Sequence, residues 1–182
     1  MIFEKLLCRL WDLLFVAAVV TVGCSKADTH PEFDVESPAF NEGTMIPRRH
    51  TCDGEDVSPI LSFFGYPEET TSFAIIMDDP DAPLETVTHW VIWNLPGKTN
   101  FVTEDQNENA GEGVGQGKNM LKNVGYSGPC PPPKHGPHRY FFKVYALDKM
   151  LQLKEGATKK ALSSAMDGHI IGYGELLGVY DR

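Results

Sequence analysis

The sequence has little of what nucleic-acid-binding and membrane-spanning proteins need. It contains no run of basic residues, and its 16 lysines and arginines are outnumbered by 25 aspartates and glutamates. No apolar stretch reaches the roughly 20 residues that a spanning helix requires. Binding to a phosphate backbone depends on clustered positive charge, so no nucleic-acid partner is expected. There is no internal repeat, and the chain is long enough for one domain with a substantial core.

The first 24 residues have the pattern of an export signal. Lys5 and Arg9 precede an apolar run over residues 13–22, and the small Gly23 and then Cys24 follow it. The run is too short for a spanning helix and suits the apolar region of a signal peptide. The alternative, a short membrane anchor that is never cleaved, stays open.

Residues 21–24 (Thr-Val-Gly-Cys) resemble the lipobox of bacterial lipoproteins, in which the cysteine is lipidated and becomes the new N-terminus. The resemblance predicts a lipid at Cys24 that anchors the protein to a bacterial membrane, in the periplasm or elsewhere in the cell envelope. Residues 25–36 are polar and aperiodic, which predicts a short tether. The folded domain is then expected over residues 37–182.

Cysteine is scarce, and this scarcity limits the pairings. Cys8 lies in the export signal and Cys24 is the predicted lipidation site, so Cys52 and Cys130 remain. An exported chain with one remaining pair most simply forms one disulfide. Closing a loop of this length stabilises a fold by about 4 kcal/mol in the chain-entropy model. The alternative is two unpaired, buried thiols.

Short runs of aromatic and β-branched residues recur between turn signals and predict a mostly β protein. Pro, Gly, Asn and Asp bound each run, as expected of strands joined by turns. An antiparallel β-sandwich is the natural inference. The four clearest strands are predicted over residues 60–64, 72–77, 89–95 and 140–147.

The C-terminal part of the sequence predicts one helix and a last strand. Thr158 is suited to cap the helix, apolar residues recur at helical spacing over 161–166, and Gly168 provides a left-handed stop. A final strand is predicted over 170–180. Between 103 and 122 the composition turns to Gly, Asn, Glu and Gln, which predicts a long surface loop.

Rigid polar groups lie beside three of the predicted strands. Asp79 and Asp81 follow a buried strand in a turn that prolines restrict, and His89 begins the next strand. His138 ends a Pro-rich loop that contains Gly128. The acids could hydrogen-bond a polar or cationic head group, hold a histidine in one tautomer, or bind a metal.

Brought together, these groups would suit a zwitterionic phosphoryl head group. Imidazolium and backbone N–H donors near Gly128 would hold the phosphate, and a carboxylate would accept from the amine. His135 and His138 have the i, i+3 spacing of some metal-ligand pairs, but Gly136 and Pro137 prevent a helix from aligning the two imidazoles. Neither a metal nor another cofactor is therefore predicted.

Four ordered blocks resemble the phosphatidylethanolamine-binding proteins, also called Raf kinase inhibitor proteins. The resemblance extends over roughly residues 35–182. The blocks are Asp79-Pro80-Asp81-Ala82-Pro83, His89-Trp90-Val91-Ile92-Trp93-Asn94, Gly125-Tyr126-Ser127-Gly128-Pro129 and Gly136-Pro137-His138-Arg139-Tyr140.

The resemblance implies an antiparallel Greek-key β-sandwich with one or two short helices and a small anion-accepting pocket at one end. The ligand-binding residues that it implies are Asp79, Asp81, His89, Gly128, His138 and Tyr140. The pair Cys52 and Cys130 is similar to the pair of exported bacterial members. Pro131 to Pro133 lengthen the loop relative to eukaryotic members, and no counterpart of their C-terminal helix follows Tyr180. Kinase regulation is therefore not implied.

The predicted function is non-catalytic binding of a small phosphorylated or other anionic ligand, such as a phospholipid head group, by an exported, lipid-anchored protein. No serine lies in a Gly-x-Ser-x-Gly turn, and the remaining cysteines are expected to be oxidised, which favours binding over turnover. Two alternatives stay open. One is an inhibitor or modulator of a protease or another protein partner, and the other is a phosphoester hydrolase with Asp79 or His138 as general base.

Overall fold

The computed structural model describes residues 30–182, and it is mostly β. The predicted signal peptide, Cys24 and the first part of the tether lie outside the described residues. The helices are α1 (Gln106–Asn109) and α2 (Lys159–Met166), with a 3-10 turn at Arg48–His50. The strands are β1 (Asp34–Glu36), β2 (Thr44–Met45), β3 (Leu61–Phe64), β4 (Ser72–Asp79), β5 (Val87–Pro96), β6 (Phe101–Val102), β7 (Gly115–Gln116), β8 (His138–Leu147) and β9 (Ile170–Tyr180).

The strands form one large and one small sheet. The large sheet has the order β2-β9-β8-β4-β5-β7, and its pairs are antiparallel except for β2 on β9. The small sheet has the order β1-β3-β6 and is antiparallel. The predicted β class is confirmed, and the Greek-key connection stays a prediction.

The central strand β4 is buried on both faces, which explains its continuous apolar sequence. Phe73, Ile75 and Met77 pack in the main core between the two sheets. Ala74 and Ile76 belong to a second core on the opposite face, where α2 covers the sheet. Because each face of a strand takes alternate residues, the middle of a strand covered on both sides, here residues 73–77, is apolar throughout. The buried polar residues Ser72, Asp78 and Asp79 lie at its ends and are paired.

Helix α2 follows the local signals of its sequence. The Thr158 hydroxyl accepts a hydrogen bond from the Ala161 N–H at 3.2 Å, which satisfies one of the unpaired donors of the first turn. Leu162 and Met166, four residues apart, are both buried against the sheet. Gly168 has a φ of 72°, which glycine adopts without strain. The prediction of this helix is confirmed.

The segment 103–122 is more ordered than a plain surface loop, so that prediction was wrong in part. It contains α1 and β7, and Gln106 and Gln116 are buried. The Gln116 side chain accepts from the Trp90 indole N–H at 2.9 Å and donates to the Gln106 carbonyl at 2.9 Å. These hydrogen bonds allow the two glutamine amides to be buried. Polar residues usually indicate an exposed segment, so the composition alone did not predict this burial.

The folded domain begins before residue 37, within the predicted tether. Strand β1 pairs with β3, and Phe33 and Val35 are both 7% exposed in the main core. Phe33 lies just before β1 and Val35 lies within it, so extended backbone directs both side chains to the core. The polar residues around them face the other way and made this segment resemble a tether. Within residues 30–182, no helix combines the length and the apolar character needed to cross a membrane.

Candidate functional site

The antiparallel order of the large sheet places three candidate residues at one end of the molecule. Strand β4 lies between β5 and β8. Because both neighbours run antiparallel to β4, its last residue, Asp79, lies beside the beginnings of β5 and β8. His89 lies near the start of β5, and His138 is the first residue of β8. The convergence predicted for these three residues is therefore present.

Asp79 and His138 form a buried pair. Oδ2 of Asp79 lies 2.7 Å from Nδ1 of His138, and the two residues are 3% and 2% exposed. A carboxylate accepts, so Nδ1 carries the hydrogen, and Asp79 holds His138 in one orientation. The other oxygen, Oδ1, accepts from the Asp81 N–H at 2.8 Å.

His135 also belongs to the site, although the sequence did not predict its contact with His138. Its Nδ1 lies 2.8 Å from Nε2 of His138, with the two rings edge to face at 5.0 Å between centroids. His135 is exposed, whereas His138 is buried. One of the two facing nitrogens carries a hydrogen and the other accepts it.

His89 presents a hydrogen-bond acceptor, not a positive charge. Its Nδ1–H donates to the Ser127 carbonyl at 2.7 Å. Burial lowers the pKa of His89, against the opposing influence of the Ser127 carbonyl and of Asp79. The imidazole is therefore neutral at pH 7 with its lone pair on Nε2. The expectation that both histidines hold a phosphate as imidazolium ions is wrong for His89.

The Tyr140 hydroxyl is buried and lacks a hydrogen-bond partner among the described residues. The Asp79 carboxylate and the Cys130 backbone are close enough to influence its pKa. Burial and, after it, the negative charge of Asp79 raise the pKa of Tyr140, so the hydroxyl keeps its proton. The ring packs edge to face on His89 and nearly parallel to His138. Tyr140 therefore has an unused donor beside both imidazoles.

Asp81 does not line the cavity that these residues form. Its two oxygens accept from the Arg139 guanidinium at 2.8 and 2.9 Å, and Oδ2 also accepts from the Arg139 backbone N–H at 2.9 Å. The hydrogen bonds from Arg139 lower the pKa of Asp81 to about 2. This residue fixes the turn that bears Asp79, and its carboxylate is already paired.

Gly128 has a structural reason to be glycine, and its N–H is not available to a ligand. The N–H donates to Oδ1 of Asp56 at 2.6 Å. A Cβ at this position would lie 2.3 Å from the His50 carbonyl oxygen. Asp56, which no sequence motif singled out, therefore accepts from the N–H that was expected to bind an anion.

The disulfide joins one side of the site to a distant loop. Cys52 and Cys130 are bonded, with their Cα atoms 5.4 Å apart, which confirms the predicted pair. The Arg182 guanidinium lies 3.0 Å from Asp53, and the Arg182 carbonyl accepts from the Lys134 N–H at 2.9 Å. The last residue of the chain thus contacts the Pro-rich loop.

A small cavity of about 150 Å³ opens at this end of the sheet. Typical pockets for drug-sized ligands measure roughly 300–1,000 Å³, so this one admits only a small group. Its lining includes no Ser, Thr or Lys, and its only cysteine is in the disulfide. The lining residues are Asp79, Ala82, Pro83, Val87, His89, Met120, Cys130, Pro131, Pro132 and His138.

A larger groove of about 630 Å³ lies beside β1, but it contains none of the predicted site residues. Its polar lining is almost entirely carboxylate, including Glu32, Asp34, Glu36, Glu42 and Glu175. The smaller cavity is lined by Asp79, His89 and His138, and the unused Tyr140 donor packs against both imidazoles without lining the cavity itself. Its chemistry rather than its size therefore identifies it as the candidate site. Within residues 30–182, no group of three or more His, Cys, Asp or Glu side chains is arranged to hold a metal ion.

Comparison with known sequences points to one family. A family model described as phosphatidylethanolamine-binding protein matches residues 36–181. A UPF0098 protein of Pyrococcus abyssi is 44% identical over 172 residues, which cover 93% of this chain and 96% of that protein.

Solved structures agree with the sequence match. A phosphatidylethanolamine-binding protein homologue of Chlamydia trachomatis is 39% identical, with a TM-score of 0.76, over 83% of this chain and 98% of its own. Escherichia coli YbcL, described as a member of the mammalian PEBP family, is 30% identical, with a TM-score of 0.77, over 82% of this chain and 98% of its own. The chain therefore belongs to the phosphatidylethanolamine-binding protein family.

Proposed function

We propose that the protein binds a small ligand with a phosphoryl or other acidic group in the cavity at Asp79, His89 and His138, without turnover. The observation that carries the proposal is the buried Tyr140 hydroxyl, which lacks a partner among the described residues. An unsatisfied buried hydroxyl costs about 1–3 kcal/mol. The hydroxyl does not line the cavity, but its ring packs on His89 and His138, which do. A ligand oxygen that reaches the hydroxyl beside these imidazoles would accept from it and remove this cost, so we expect a ligand with acceptor oxygens.

The other polar groups of the cavity restrict the chemistry of the ligand further. The neutral His89 and the Asp79 carboxylate are both acceptors, so the ligand must also supply donors. A phosphate monoester with one acidic proton has both kinds of group, and an ammonium group would suit Asp79. Phosphorylethanolamine combines these features in a group of the size that the cavity admits.

The lining residues support binding over catalysis. The cavity lining offers no hydroxyl, amine or free thiol as a nucleophile. Its carboxylate and imidazoles are held in hydrogen bonds, Asp79 to His138 and His89 to the Ser127 carbonyl. We further propose that the protein is exported and anchored by a lipid at Cys24. The Cys52–Cys130 disulfide supports export, because disulfides persist mainly in oxidising compartments.

Substituting Tyr140 by Phe tests the proposal, since it removes only the hydroxyl. Titration calorimetry with phosphorylethanolamine in the presence of a chelator should show an affinity about tenfold lower than in the wild type. The unliganded variant should be as stable as the wild type or more stable, because an unsatisfied buried group has been removed.

Tyr126→Phe is the matched control. The Tyr126 hydroxyl is also buried, but it donates to the His50 carbonyl at 2.7 Å. This variant should lose about 1 kcal/mol of stability and keep its ligand affinity. Equal affinity in Tyr140→Phe and the wild type, or release of inorganic phosphate from the ligand, would contradict the proposal.

A further inference from the structure

The turn between His135 and His138 brings one nitrogen of each imidazole into hydrogen-bonding distance. Nδ1 of His135 and Nε2 of His138 are 2.8 Å apart. Lys134 and Gly136 have φ values of 64° and 91°, and these left-handed conformations reverse the chain within a few residues. Gly136 and Pro137 prevent a helix from aligning these two imidazoles. The turn achieves the alignment without one.

His138 has the support that metal-binding histidines usually have. The buried Asp79 carboxylate accepts from Nδ1–H at 2.7 Å, so the lone pair of the neutral ring lies on Nε2, which faces His135. Such a carboxylate behind a ligating imidazole fixes the tautomer and increases the basicity of the ligand. The Asp81 N–H in turn holds Asp79 at 2.8 Å.

We propose that His135 and His138 together bind one divalent late transition metal ion of the Zn²⁺ and Cu²⁺ class. A single hydrogen joins the two facing nitrogens in the present arrangement. On binding, this hydrogen would pass through solvent to Nε2 of His135, so that the ion takes its place between two neutral imidazoles. Neutral imidazole suits zinc and copper, whereas magnesium and calcium prefer oxygen ligands. This site goes beyond the proposed ligand binding and does not depend on it.

The surroundings permit the ion to enter and to complete its coordination. With zinc–nitrogen bonds of about 2.0–2.1 Å in tetrahedral coordination, the two nitrogens lie roughly 3.3 Å apart. They must therefore separate by about half an ångström, and the His135 ring must turn so that its lone pair points at the ion. His135 is exposed on the loop and can move by that amount, whereas His138 is fixed by Asp79. Two protein ligands leave the other positions to water. The nearby Arg139 and Arg182 are each paired with a carboxylate, which reduces their repulsion of a cation.

Zinc titration of the purified, chelator-treated chain in a phosphate-free buffer tests this site. Calorimetry should give one ion per wild-type chain. His135→Ala should abolish this binding with only a small change in thermal stability, since the side chain is exposed and loses one hydrogen bond, to His138. Asp79→Asn should weaken it by about 10- to 100-fold, as expected when the carboxylate behind a ligating histidine is removed. With Cu²⁺ in place of zinc, the electron paramagnetic resonance spectrum should show coupling to two nitrogens.

His169→Ala is the matched control. Nδ1 of His169 contacts the Asp148 carboxylate at 3.0 Å, and its Nε2 faces Lys149 and not a second imidazole. This variant should bind zinc as the wild type does. Absence of zinc binding to the wild type, or equal binding by His135→Ala, would overturn the inference. Binding of phosphorylethanolamine is measured in chelator, so failure of that function and failure of the metal site are separate results.

Discussion

Asp79 has a different partner on each carboxylate oxygen, and this makes it the central residue of the site. Oδ2 accepts from His138, and Oδ1 accepts from the Asp81 N–H. Its charge also raises the pKa of Tyr140 and opposes the burial that lowers the pKa of His89. One buried carboxylate therefore sets the tautomer of His138 and influences the protonation of two further aromatic side chains.

Gly128→Ala tests the structural role assigned to this glycine. The added Cβ would lie 2.3 Å from the His50 carbonyl oxygen and 2.8 Å from the Thr51 Cα. Backbone atoms cannot move aside as a flexible side chain can, so we expect a loss of about 1–3 kcal/mol in the free energy of unfolding. Urea denaturation measures this loss.

Gly111→Ala is the control for that substitution. The only atom that its Cβ would meet within 4 Å is Cγ2 of Val114, at 4.0 Å. This variant should unfold within about 0.5 kcal/mol of the wild type. If Gly128→Ala were as stable as Gly111→Ala, the close packing described around Gly128 would be incorrect.

At the level of single residues, the sequence predicted which residues form the site better than it predicted their hydrogen bonds. Asp79, His89 and His138 could be selected because they flank strands, and the structure brings them together. The bond from the Gly128 N–H to Asp56 could not be predicted, since it joins segments 72 positions apart. Burial of His89 was also not apparent from its sequence neighbours, and it is this burial that removes the expected charge.

At the level of elements, the cap of α2 offers the clearest test. The Thr158 hydroxyl accepts from the Ala161 N–H, and no acidic residue in the first turn could compensate for its loss. Thr158→Ala should therefore lower the free energy of unfolding by about 1 kcal/mol. Thr158→Ser keeps an acceptor oxygen and should retain most of the stability in the same thermal or urea unfolding experiment. A Ser variant as unstable as the Ala variant would show that the hydroxyl is not a cap.

The elements that the sequence predicted well are those with strong local signals. Helix α2 has a cap, helical spacing and a terminal glycine, and β9 was predicted with its observed bounds, Ile170–Tyr180. Strand β7 was missed because its two residues, Gly115 and Gln116, have no apolar pattern. It pairs with β5, and tertiary hydrogen bonds rather than local propensity account for its formation.

At the level of the whole molecule, the disulfide joins segments that are 78 positions apart in sequence. Replacing both Cys52 and Cys130 by Ala should reduce the free energy of unfolding by about 4 kcal/mol, because the unfolded chain regains the entropy of a large loop. Urea denaturation of the variant and of the dithiothreitol-reduced wild type should give similar midpoints, both below that of the oxidised protein. Three equal midpoints would contradict this prediction.

The two ends of the described chain lie at opposite ends of the large sheet. Glu32 pairs beside Tyr173, seven positions before the end of β9 and roughly 20 Å from the cavity along the strand. Arg182 contacts the Pro-rich loop through Lys134. An affinity tag fused after Arg182 would emerge beside the cavity and interfere with ligand titrations. A protein immobilised through its N-terminal side would instead leave the opening exposed to solution.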